Sequence, residues 1–182
     1  MLGVVFTELV EMIEGELPAG EAEAVIQPGS LSRGGAYTAL GRYPAEELVG
    51  IVQRLAAHSG QPLEHWLRAF GAHLLPRFME RWPALFEGVE SAFDLLEGLE
   101  DRVHATVRRL YPQAELPRFE VRRDGDRELV LVYRSERAMA DLARGLLEAA
   151  VAHWGEPMEI GEEDLSGGAR TEVRFTLRSR SP

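Results

Sequence analysis

Cysteine is absent from this chain of 182 residues, and disulfides, thiolate zinc sites, iron–sulfur clusters and catalytic thiols are excluded with it. Any metal must be held by His, Asp, Glu, Met or Tyr. Positive charge is scarce too: 20 Lys and Arg against 30 Asp and Glu leave a formal net charge of −10. Nucleic-acid binding depends on basic clusters that displace counterions, and the arginine-rich spots here (Arg108-Arg109, Arg122-Arg123, Arg178 and Arg180) are short and scattered. No apolar run approaches the length that spans a bilayer, and the start Met1-Leu2-Gly3-Val4-Val5-Phe6 lacks a basic lead before Thr7-Glu8. The expectation is a cytoplasmic protein with neither nucleic acid nor membrane as a partner.

The 45% hydrophobic and 27% charged content suits one globular domain over residues 1–182, built from two subdomains, about 1–60 and about 61–182. Helical spacing is clear at residues 2–16, where Val5, Leu9, Met12 and Ile13 share a face and Pro18 and Gly20 close the pattern. Residues beyond Pro18 read as loop, and Pro28-Gly29, Gly34-Gly35, Gly41 and Pro44 predict a chain that turns repeatedly over a helical core. Helices are predicted from Ala45 to His58, from Leu63 to Trp82 with a kink at Pro76, and over 92–110 with the stripe Leu96, Leu99, Val103, Val107 and Leu110. Strands are predicted at Arg118–Arg123 and Glu128–Tyr133 around the hairpin signal Asp124-Gly125, then at Pro157–Ile160 and Thr171–Arg178 after a helix from Ala138 to Trp154. The fold class is therefore α+β: a helical N-terminal part packed on a part with a four-stranded antiparallel sheet and helices.

Chemistry concentrates after the second strand. The alternation Leu129, Leu131 continues into Tyr133, Ser135 and Arg137, so a phenol, a hydroxyl and a guanidinium follow buried aliphatics on one face. Such donors suit a carboxylate or phosphate, because the planar guanidinium takes two oxygens while hydroxyls fill the remaining lone pairs. The alternative is a strand end that caps the next helix, with Arg137 paired to Glu136 or Asp141. His104 is the other candidate. At ~100° per residue it lies roughly 60° from the nearer edge of the apolar stripe, on a border between core and water. It is either a metal ligand in an apolar cavity or a half-buried histidine satisfied by a backbone carbonyl. His58, His65, His73 and His153 show no zinc spacing and read as surface or structural residues. Gly34-Gly35 lacks the lysine of a phosphate loop, and Glu162-Glu163-Asp164 reads as a solvated acidic loop.

Together these residues resemble the H-NOX family, the haem nitric oxide/oxygen-binding domains related to the sensor of soluble guanylate cyclase. The family signature Y-x-S-x-R clamps the haem propionates, and Tyr133-Arg134-Ser135-Glu136-Arg137 matches it in full. The resemblance makes His104 the iron ligand and places Pro117, in Leu116-Pro117-Arg118, against the macrocycle. It extends to the chain start, Gly34-Gly35-Ala36-Tyr37, Tyr111-Pro112 and Ala152-His153-Trp154. It implies haem b (iron protoporphyrin IX) between the helical and sheet parts, with a neutral imidazole whose second nitrogen needs an acceptor that the sequence does not identify.

By the same resemblance, relatives that hold oxygen use a distal tyrosine from the helix after the signature strand, where this chain has Leu142. Val5, Leu9, Leu74 and Phe78 resemble the other distal positions, and no donor stands among them to steady partly charged oxygen. The expectation is a sensor of nitric oxide and carbon monoxide that excludes oxygen, unless Tyr37 or Tyr43 swings in. Relief of haem distortion against Pro117 and Val5, with release of His104, would carry the signal. The chain is expected to be no enzyme itself and to act in trans on a histidine kinase or a cyclic-di-GMP cyclase or phosphodiesterase. Relatives with a cysteine-rich zinc site sense thiol oxidation, which this chain cannot do. The competing readings are a haem-free domain that binds another apolar carboxylate such as a fatty acid, a small hydrolase or transferase with His104 as general base, and a plain interaction module.

Overall fold

The computed structural model describes residues 1–27 and 36–180. Helix α1 (Gly3–Glu16) buries Phe6, Leu9, Met12 and Ile13 against α3 (Ala45–Ser59) and α4 (Leu63–Arg81). Its start is pinned by the Gly3 N–H bonded to the Gly41 carbonyl at 2.8 Å and by a bridge between Leu2 and Arg42. The stretch after Pro18 is not loop but a further helix, α2 (Ala19–Ile26), which buries Ala22, Val25 and Ile26. Proline fixes the backbone angle that a helix start requires and gives up a donor that would be unpaired there, so Pro18 opens this helix as well as closing α1. The Gly34-Gly35 turn and the turn at Pro28-Gly29 lie outside the described residues. Helix α3 ends at Gly60, whose φ of 71° puts it in the left-handed region. Helix α4 runs on through Pro76 to Arg81.

The helix predicted over 92–110 is interrupted. Helix α5 (Ala92–Glu97), capped by Ser91 accepting from the Asp94 N–H at 3.1 Å, leads into a wide π turn over Leu99–His104 and then α6 (Ala105–Leu110). The Val103 N–H reaches back five residues to the Gly98 carbonyl at 3.3 Å. An extra residue in one turn sets the phase back by ~100° relative to an ideal helix. That rotation moves His104 from the border into the apolar stripe, where it is buried, and turns Leu110 out of it, where it is 58% exposed.

Strands β1 (Arg118–Asp124), β2 (Glu128–Arg134), β3 (Met158–Asp164) and β4 (Glu172–Ser179) form an antiparallel sheet in the order β1-β2-β4-β3. Gly125, at φ 62°, makes the β1–β2 turn. Glu162-Glu163-Asp164 belongs to β3 rather than to a loop: Glu162 pairs with Arg170, Glu163 with Arg174 at 2.7 Å, and Asp164 holds the turn that follows. The inner face of the sheet, with Leu129, Leu131, Tyr133, Val173, Phe175 and Leu177, packs on α7 (Ala140–His153) and on Phe93 and Leu96 of α5. Helices α4 and α7 cross main chain to main chain. A Cβ on Gly71 would stand 2.2 Å from the Leu142 carbonyl oxygen, and one on Gly145 would stand 2.0 Å from that of Arg68. This crossing ties the helical cluster to the sheet cluster beside a deep apolar cavity.

Candidate functional site

The cavity has a volume of about 430 Å³, within the range of small-molecule and cofactor sites. Helix α1 contributes Val5, α4 contributes Leu74 and Phe78, and α7 contributes Leu142 and Leu146. Val103 and His104 enter from the π turn, Pro117 and Phe119 from the start of β1, and Leu131 and Tyr133 from β2. Ser135 and Arg137 line it from the turn that follows β2. Of the residues expected to touch haem, Leu9 alone is not on the wall: it is fully buried in the helical core.

Besides Arg42, which donates to Gln113 at 2.5 Å, the polar wall groups form two sets. In the first, Tyr133 is buried, and its hydroxyl accepts from the Met139 N–H at 3.0 Å. Burial raises its pKa from the ordinary value, opposed by the Ser135 hydroxyl, the Met139 N–H and the charge on Arg137. Ser135 Oγ accepts from the Arg137 N–H at 3.2 Å. The Arg137 guanidinium takes neither Glu136 nor Asp141; it donates to the Glu115 carbonyl at 2.7 Å and to the Glu115 carboxylate. Asp141 pairs instead with Arg170 at 2.8 Å. The Glu115 side chain is 82% exposed, so the fork of Arg137 already holds one carboxylate, and that one stands in solvent.

The second set surrounds His104. Its Nδ1 bonds Glu100 Oε1 at 2.8 Å, so the acceptor is a carboxylate and not a backbone carbonyl. The same Oε1 accepts from the Phe119 N–H at 3.0 Å, while Oε2 accepts from Arg108 at 2.9 Å. Burial, the largest influence on His104, lowers its pKa, with Glu100 opposing. Burial acts upward on Glu100, but the bonds from Arg108, His104 and Phe119 together hold it below the usual carboxylate range. An ionised carboxylate can only accept, so the contact at Nδ1 calls for a proton on that nitrogen, and in the neutral ring Nε2 then carries none. Sequence reasoning missed Glu100 because its position four residues before His104 becomes informative only once β1 is seen to bring Phe119 to the same oxygen.

Tyr37 and Tyr43 are not on the wall. Tyr37 donates to Glu47 at 3.1 Å, Tyr43 Oη accepts from the Thr38 N–H at 2.9 Å, and both rings pack on Phe6. The other histidines are elsewhere: His58 pairs with Glu21 at 2.7 Å, His65 and His153 are exposed beside Trp66 and Trp154, and His73 lies 3.6 Å from the buried Glu8.

The donor set fits haem. No three His, Asp or Glu side chains gather as ligands for a bare metal ion among the described residues. Haem brings the further ligands that a lone imidazole lacks, and it is apolar with an acidic edge. The cavity wall, the single imidazole and the Tyr133, Ser135 and Arg137 group match those features in turn. Likewise, no described helix is long and apolar enough to cross a membrane.

A family model described as haem-NO-binding (HNOB) matches residues 2–162. Among solved structures, an unliganded Fe(II) H-NOX protein from K. algicida is 27% identical, with a TM-score of 0.92 over 100% of this chain and 98% of that one. The IWP-051-bound H-NOX from Shewanella woodyi, in the Fe(II)CO state, is 34% identical, with a TM-score of 0.84 over 100% of this chain and 95% of that one. An H-NOX protein from S. oneidensis in the Fe(II)NO state shares the fold at 22% identity, with a TM-score of 0.89 over the whole of both chains. Comparison with curated proteins found no match.

Proposed function

Since the chain belongs to the haem-NO-binding family of haem-based gas sensors, we propose that it holds haem b through His104 and senses nitric oxide in preference to oxygen. The observation that carries the reading is one apolar cavity walled both by His104, whose Nδ1 is bonded to Glu100, and by Tyr133, Ser135 and Arg137. When bound, haem would supply a ferrous iron able to take a small gas.

The protein's own groups do the rest. His104 presents the Nε2 lone pair, because Nδ1 is committed to Glu100. Arg137, here on the exposed Glu115 carboxylate, would hold a propionate, and Tyr133 and Ser135 would offer hydroxyls beside it. Pro117 and Val5 line the cavity where they would bear on the macrocycle. The wall from α1, α4 and α7 is all carbon: Val5, Leu74, Phe78 and Leu142 carry no donor for a ligand that gains negative charge, and Tyr37 and Tyr43 are engaged elsewhere. This supports selectivity for nitric oxide and carbon monoxide, which need no such donor. The output is a change in a separate signalling protein, a histidine kinase or a cyclic-di-GMP cyclase or phosphodiesterase, with no catalysis by this chain.

Haem reconstitution tests the reading. Purified protein given haem should develop a Soret band, shift it with nitric oxide in the ferrous state, and hold no stable adduct in air-saturated buffer. His104→Gly should lose the native band and regain one when free imidazole is supplied. Folded protein that refuses haem but retains fatty acid points to the haem-free carboxylate reading. A stable oxygen adduct overturns the selectivity.

A further inference from the structure

The Glu100 carboxylate is held from three directions. Oε1 is shared by His104 Nδ1 at 2.8 Å and the Phe119 N–H at 3.0 Å, and Oε2 takes Arg108 at 2.9 Å. These donors belong to the π turn, to β1 and to α6, so no single element sets the position of the carboxylate. The His104 side chain is 10% exposed and that of Glu100 is 26%, which limits screening of the contact by water. The imidazole ring also lies 5.6 Å from that of Phe119, centroid to centroid, which restricts its tilt.

We propose that Glu100 is the positioning residue of this site: its carboxylate locks His104 as the Nδ1–H tautomer, fixes the ring against β1, and makes Nε2 an unusually strong donor toward iron. The inference rests on His104 being the haem ligand, but its first part concerns the imidazole alone. A free imidazole with two equivalent surroundings exchanges its proton between nitrogens, whereas a charge-assisted bond at one nitrogen selects the tautomer. Negative charge at Nδ1–H pushes electron density through the ring, and outer partners of this kind commonly govern metal affinity. Arg108 and the Phe119 N–H keep the carboxylate ionised and aimed, so it cannot rotate away when the imidazole shifts.

Glu100→Gln and Glu100→Leu test this with two readouts. In the apo protein, imidazole ¹⁵N spectra should show wild type with Nδ1 protonated and Nε2 bare. The Gln variant should keep that tautomer less completely, and the Leu variant should show a mixture. In the ferrous haem protein, the iron–imidazole stretching frequency should fall from wild type to Gln to Leu, and the midpoint potential should rise in the same order. Haem affinity of the Leu variant should drop about 10–100-fold. If Leu fails to fold, the Gln variant decides alone. Unchanged tautomer and unchanged stretch in a folded variant overturn the proposal and leave Glu100 as a tie between helix and strand. If wild type takes no haem while the tautomer shifts as described, the haem reading fails and the positioning role stands.

Discussion

Single side chains explain most of the difference between what the sequence shows and what the folded chain does. Tyr133, Ser135 and Arg137 all line the cavity, but strand alternation carries only Tyr133 there: β2 ends at Arg134, and Ser135 and Arg137 reach the wall from the turn after it. Glu100 is illegible because its role depends on Phe119, 19 residues away. Asp164 is a similar case: it looks like part of a solvated acidic run, yet it accepts from the Ser166 hydroxyl at 2.5 Å and from the N–H groups of Ser166 at 2.8 Å, Gly168 at 2.9 Å and Arg170 at 3.3 Å. The Ser166 hydroxyl above all, then these N–H groups, lower its pKa from the ordinary 3.8. A carboxylate depressed in the folded state stabilises it above the unfolded-state value and loses that effect as pH falls through the folded value. Wild type should therefore be more stable than Asp164→Asn at neutral pH, and the gap should close below about pH 4. Carboxyl ¹³C titration and paired unfolding curves across that window check both points.

At the scale of elements, periodicity places the helices and strands well, and it fails where geometry departs from the ideal. The pattern over 92–110 contains no mark of a π turn, so an ideal count leaves His104 on a border and Leu110 in the core, the reverse of what the chain adopts. Helix α2 is hidden by Pro18 and Gly20, residues that read as an ending although one of them serves equally as a beginning. The α4–α7 contact is unreadable for another reason: Gly71 and Gly145 each sit in ordinary helix, and their partner is backbone far along the chain. Adding one methyl there meets a carbonyl that cannot give way. Gly145→Ala should lower unfolding stability by about 1–3 kcal/mol, typical of overpacking, as measured by urea denaturation. An alanine as stable as wild type would mean that the helices separate freely.

For the whole molecule, the α+β organisation follows from the order of elements, but the cavity does not, because its walls come from α1, α4, α7, the π turn and two strands. A ligand that fills it bridges all of them and stabilises the native state alone. Haem held at a free concentration a hundredfold above its dissociation constant should add about 2.7 kcal/mol to unfolding stability, and the thermal midpoint should climb with the haem concentration. His104→Gly without imidazole should flatten that climb. The glycine crossing has a mechanical corollary. Rods in direct backbone contact cannot be pressed closer, and interlocked they slide poorly, so the freedom left to them is that of scissor blades about a rivet. Gly71 lies near the middle of the 19 residues of α4, and Phe78 stands seven residues along one blade, roughly 10 Å from the rivet. A swivel of about ten degrees would sweep Phe78 by roughly 2 Å across the cavity while leaving the rivet itself unmoved.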